Sequence, residues 1–85
     1  MTPHFEMLPY VENPRITFRR NLLRILNEYR QQTGHGTKYV AKCAGMPENM
    51  LQEYKNGRRY PGPENLQRIA QALGLPVETF FRLDL

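Results

Sequence analysis

A single cysteine, Cys43, stands in the whole chain, and there is no tryptophan. One cysteine excludes an internal disulfide and suits a reducing compartment, so folding must rest on packing. No apolar run approaches the roughly 20 residues of a membrane helix, and the amino terminus carries no basic-then-apolar leader pattern. A cytoplasmic protein with no membrane association is expected. Alternating β-branched runs, internal repeats and low-complexity tracts are missing as well, which argues against a sheet protein. His4, His35 and Cys43 are too scattered along the chain for a metal site. No Ser/His/Asp set, paired carboxylates or glycine-rich phosphate loop stands out, so neither catalysis nor a cofactor is expected.

What remains is a basic chain of 85 residues with a formal charge of +4 and an ordinary apolar fraction of 40%. That length holds one domain and buries enough surface to fold, though modestly. The charge is unevenly placed. Residues 15–60 carry ten of the twelve Lys and Arg residues against three acids, Glu28, Glu48 and Glu53. Residues 1–14 carry two acids and no Lys or Arg, and residues 61–85 are nearly balanced. A polyanion is the natural partner for such a centre, although solvated helix faces are the commoner fate of Arg and Lys.

Residues 1–14, with three prolines among Phe5, Met7, Leu8, Tyr10 and Val11, read as an extended amino-terminal arm. From about Ile16 a helical period takes over, with Phe18, Leu22, Ile25, Leu26 and Tyr29 on one stripe and Leu23 off it. Gly34 and Gly36 break that helix. A second helix is expected over Thr37 to Ala44, with Val40, Ala41 and Ala44 inward and Gly45 as its stop. Pro47 suits the first turn of a third helix. On its wheel Met50, Leu51 and Tyr54 share one side, while Glu48, Asn49 and Gln52 share the other, flanked by Glu53 and Lys55. Asn56-Gly57 ends it. A fourth helix starts at Pro63 or Glu64 and turns Leu66, Ile69, Ala70 and Leu73 inward, and a fifth short helix follows Pro76 with Val77, Phe80 and Phe81. The expectation is an all-α fold of five helices: an arm over residues 1–14 and a domain over 15–85.

The turn at Gly45 to Pro47 is so short that the second and third helices must cross steeply and pack at once, with the small Ala41 at their contact. The spacing Ala41, Gly45, Leu51, Tyr54 describes a helix-turn-helix. Together with "KNGRRYP" and "LQRIAQALGLPVETFF" it resembles the lambda-repressor-like helix-turn-helix proteins, which include Cro-type and xenobiotic-response-element-type regulators. The resemblance covers about Leu22 to Phe81. Thr37 stands where that family often has glutamine, Pro47 where a serine or threonine commonly opens the third helix, and Glu48 and Glu53 place acids on that helix.

The resemblance implies a sequence-specific DNA-binding transcriptional regulator of prokaryotic or phage type, a repressor acting without catalysis. It also implies a homodimer on an inverted repeat with half-sites about one helical turn apart. A polar helix face held against a scaffold can enter a major groove about 12 Å wide. Asn49 and Gln52 can each bond an adenine edge in a bidentate way, Glu48 can accept from a cytosine amino group, and Lys55 can reach guanine or phosphate. Thr37 and Lys38 open the second helix, where free N–H groups and the dipole favour a phosphate. Arg58 and Arg59 are expected to clamp phosphates; Arg15, Arg19 and Arg20 either add contacts or are plain surface. The dull rival for Glu48, Asn49 and Gln52 is a solvated helix face. A second reading keeps the fold but makes it a protein-interaction module, such as an antitoxin or a partner subunit of a regulator. It would dock through the arm or through an exposed-looking carboxy-terminal end of Phe80, Phe81, Leu83 and Leu85; the alternatives for these residues are a dimer interface and simple core cover.

Overall fold

A computed structural model describes residues 13–85. The expected arm, with Phe5, Leu8, Tyr10, Val11 and His4, lies almost wholly outside them. All regular structure among the described residues is helical. Helix α1 spans Pro14–Thr33, α2 Thr37–Ala44, α3 Glu48–Lys55 and α4 Pro63–Leu73.

The first helix begins two residues ahead of the change in period at Ile16. Asn13 caps it, its side chain accepting from the Arg15 N–H at 2.9 Å, and Pro14 occupies the first turn, where a missing N–H costs nothing. Its inward stripe holds Thr17, Phe18, Asn21, Leu22, Ile25 and Leu26; Tyr29 is half-buried beside the core and Leu23 stays exposed. Pro47 falls just outside α3 rather than in its first turn. It takes an extended conformation and lends its carbonyl to the N–H groups of Met50 and Leu51.

Among the described residues four α-helices form, not five. The segment after Pro76 is a 3-10 turn over Val77–Phe81, closed by the Thr79 N–H on the Pro76 carbonyl at 3.0 Å. Five residues between a proline and an extended Arg82 leave no length for an α-helical ladder to propagate. The turn still packs as a helix would. Phe80 is fully buried, so at that residue the carboxy-terminal end serves as core cover and not as a docking surface; Phe81 and Leu85 are half-buried, and Leu83 alone of that group is open.

Phe18 of α1 gathers the aromatic part of the core, with ring centroids 5.4 Å from Tyr60, 5.5 Å from Phe80 and 6.2 Å from Phe81. Asn21, buried one helical turn on, donates from Nδ2 to the carbonyls of Phe80 at 2.9 Å and Arg82 at 2.8 Å. A buried amide must find acceptors, and these two tie the chain end to α1. Helix α4 packs on α2, and α2 and α1 each pack on α3. The core thus runs from Phe18 and Leu22 through Val40, Ala41 and Leu51 to Ile69 and Phe80.

Candidate nucleic-acid interface

The sequence of α3, ENMLQEYK, divides the helix lengthwise. Leu51, with no exposed surface, and Tyr54 are buried, Met50 is half-buried, and Glu48, Asn49 and Gln52 are all exposed. The inner face is pinned from behind: Asn65, on the first turn of α4, donates from Nδ2 to the Tyr54 hydroxyl at 3.0 Å and lies 3.6 Å from the Met50 sulfur. With both its apolar contacts and a side-chain bond fixed, α3 presents its polar face as a rigid rod.

Entry to α3 is shaped by the turn after α2. Gly45 takes the left-handed conformation at φ 73°, and the Met46 N–H returns to the Ala41 carbonyl at 3.0 Å. Met46 itself is buried in the core. Its placement gives the chain only three residues to reverse, so α2 and α3 lie in direct contact, as the Ala41 spacing implies.

At the far end of α3 the polar residues are tied to one another. Lys55 Nζ donates to Thr37 Oγ1 at 2.9 Å, joining the last turn of α3 to the first turn of α2. Arg19, reaching across from α1, donates through Nε to the Lys55 carbonyl at 2.8 Å and so caps a free helix carbonyl. Cationic groups at this end also suit the helix dipole. Glu53 pairs with Arg59, Nε to Oε1 at 2.8 Å, and its carbonyl accepts from the N–H groups of Arg58 and Arg59 at 3.0 and 3.3 Å. An acid on α3 that would repel phosphate is thereby turned into a brace for the basic loop.

The expected site residues therefore separate into two sets. Glu48, Asn49, Gln52, Lys38 and the Arg58 guanidinium have no side-chain partner among the described residues. Thr37, Lys55 and Arg59 each hold one. Gly36 offers no side chain to cap α2, so the first-turn N–H groups behind Thr37 and Lys38 meet no capping side chain. Next to them His35 stacks on Tyr39, centroids 3.8 Å apart and planes within 13°. A hydrogen bond with the exposed Cys43 raises the Tyr39 hydroxyl pKa above its usual value.

The roles of three positions are not legible in the sequence. Asn21 and Asn65 are polar residues among helical apolar stripes, and Arg19 is one of several arginines on α1. Only the placement of partners 59, 11 and 36 residues away marks them. Among the described residues no group of His, Cys, Asp or Glu could hold a metal ion, and no helix is long and apolar enough to cross a membrane.

Comparison with known proteins agrees with this geometry. A family model described as helix-turn-helix matches residues 23–80, from the middle of α1 through the buried Phe80. No curated protein and no solved structure matches the chain. The match spans α2, the three-residue turn and α3 as one unit, and the chain belongs to the lambda-repressor-like, Cro-type helix-turn-helix family of DNA-binding transcription regulators.

Proposed function

We propose that this protein is a sequence-specific repressor of prokaryotic or phage type that reads the DNA major groove with α3, acts in the cytoplasm and has no catalytic activity. The observation that carries the reading is the face of Glu48, Asn49 and Gln52: three exposed groups able to bond base edges, on a helix fixed from behind, with no partner within the described protein. A merely solvated face needs no such bracing from Asn65 and Leu51. Asn49 and Gln52 fit adenine, and Glu48 fits the cytosine amino group.

Lys55 keeps its bond to Thr37 and still has two N–H donors to offer guanine or phosphate. Lys38, the first-turn N–H of Thr37, Arg58 and Arg59 hold the backbone and set register without reading sequence. Two copies on an inverted repeat would double an interface that one small domain makes only modestly. The partner-module reading loses Phe80 to the core and retains Leu83, the half-buried Phe81 and Leu85, and the arm.

In-vitro selection from random duplexes tests the proposal. A defined motif should emerge, and Gln52→Ala should change the selected base at one position. Arg58→Ala with Arg59→Ala should weaken binding to all duplexes and flatten the salt dependence, by about 0.9 in log–log slope for each phosphate no longer neutralised. Enrichment of no motif by the parent protein would sink the reading. Solution mass with and without the selected duplex distinguishes a dimer from a monomer.

A further inference from the structure

Between the amino-terminal half of α1 and the loop after α3 lies a cleft of about 70 Å³, several times the space one water occupies. Its lining holds four arginines, Arg15, Arg19, Arg58 and Arg59, and no acid. Phe18, Tyr54 and Tyr60 supply apolar walls, and Gly57 completes it. Glu53, just outside the lining, pairs with Arg59 only; the remaining like charges repel each other unless an anion joins them.

We infer that this cleft is a phosphate-binding site in which Arg15 and Arg19 of α1 act together with Arg58 and Arg59. The guanidinium groups are arranged for it. Arg19 and Arg59 are each anchored through Nε, to the Lys55 carbonyl and the Glu53 carboxylate, which leaves both terminal nitrogens of each without a partner among the described residues. Arg15 is held by its face, 5.0 Å over the Tyr60 ring, which keeps all its N–H donors in the guanidinium plane available. Arg58 has no side-chain partner among the described residues. Anchored forks bind phosphate at a smaller entropic cost than floppy ones.

The backbone takes part as well. Gly57 sits at φ 81°, and a Cβ there would come within 3.2 Å of the Arg19 Cδ, so glycine lets the Arg19 stem lie flat against the loop. Two of the four arginines, Arg15 and Arg19, precede the residues that the family model matches. The family match therefore says nothing of these two arginines, and their part in the site rests on the geometry of the cleft alone. Phosphate recognition stands on the cleft itself; the DNA backbone as source of that phosphate rests on the proposed function above.

Arg15→Gln is the decisive variant, because Arg15 caps nothing and its replacement leaves the Arg19 bond to α3 in place. Arg68→Gln on α4 removes an equal charge outside the cleft and serves as control. On a selected duplex, Arg15→Gln should weaken binding about three- to tenfold and flatten the salt slope by about 0.9, while Arg68→Gln leaves both near the parent. Methylphosphonate placed at one phosphate at a time should cost the parent affinity at one position where it costs Arg15→Gln nothing further. In parallel, inorganic phosphate titrated at constant ionic strength should move the NMR signals of the Gly57 amide and the Arg15 and Arg19 Nε–H groups in the parent, and leave the Gly57 and Arg19 signals unmoved in the variant. A response on duplex identifies the DNA backbone as ligand, and a response to inorganic phosphate alone identifies the free ion. If the parent binds no duplex, the DNA reading fails and the inorganic phosphate titration alone decides the site. Silence in both overturns it.

Discussion

The two sides of α3 carry similar residue types and are used in opposite ways. Along its outer face Glu48, Asn49 and Gln52 bond nothing among the described residues. At its rear flank and carboxy-terminal end, Glu53, Lys55 and the residues after them are bonded to Arg59, Thr37 and Arg19. A polar residue on or beside α3 is therefore by itself no guide to contact with a ligand. Partnership separates the two: groups already bonded inside the protein hold the helix at its angle, and groups without partners are those left to bond something else.

The sharpest way to break that contrast is to remove the support common to both sides. Leu51 is wholly buried between α2 and the rest of the core, so Leu51→Ala should cost about 2–5 kcal/mol of stability and abolish binding with it. Urea denaturation measures the first and a duplex-binding titration the second. A destabilisation under about 1 kcal/mol, well below the usual range for such a truncation, would show that α3 is not held by its apolar face.

The next effect compares two turns. Gly45 and Gly57 both take left-handed conformations, at φ 73° and 81°, but only Gly57 is overlain, by Arg19 at 3.2 Å. Replacing either by Ala should cost about 1–2 kcal/mol for the left-handed backbone. Gly57→Ala should cost more, because the Arg19 stem must move and its bond to the Lys55 carbonyl loosens. Equal destabilisation in thermal unfolding would mean that Arg19 does not rest on the loop.

Much of this arrangement is legible in the sequence, for a physical reason. The bounds of α2, the inward set Val40, Ala41 and Ala44, and the division of α3 follow from periodicity and glycine punctuation, which act over a few residues. Glu48, Asn49 and Gln52 stand on the exposed face as the wheel requires. What stayed hidden depends on residues far apart in the chain. Phe80 is buried where Asn21, 59 positions earlier, donates to its carbonyl. The short segment closes as a 3-10 turn before the extended Arg82, whose carbonyl also accepts from Asn21. Lys55, expected from the wheel to reach guanine or phosphate, is half-buried and also bonded to a threonine 18 positions earlier, a partner the wheel does not show.

Lys55→Met tests, at a smaller scale, whether bracing or base contact is the main work of that side chain. The methionine keeps the stem's packing and removes the donor, so stability should fall by about 0.5–1.5 kcal/mol, the usual net worth of one hydrogen bond. If Lys55 mainly fixes α3 against α2, the variant should bind all duplexes more weakly while selecting the same motif. A changed base preference would return Lys55 to the set that reads sequence.

Gln52→Ala should have the smallest effect on the fold and the most selective one on function. Its side chain is exposed and unpartnered among the described residues, and alanine favours helix, so thermal stability should stay within about 0.5 kcal/mol of the parent. Binding to the selected motif should nonetheless fall by about 1–3 kcal/mol, the worth of one bidentate base pairing, with the salt slope unchanged because every phosphate stays neutralised as before. Duplexes altered at the one base that Gln52 reads should then bind parent and variant more nearly alike. A drop in stability together with unchanged base preference would place Gln52 with Lys55 and Glu53 among the residues that brace the helix, and the contrast between the two sides of α3 would disappear.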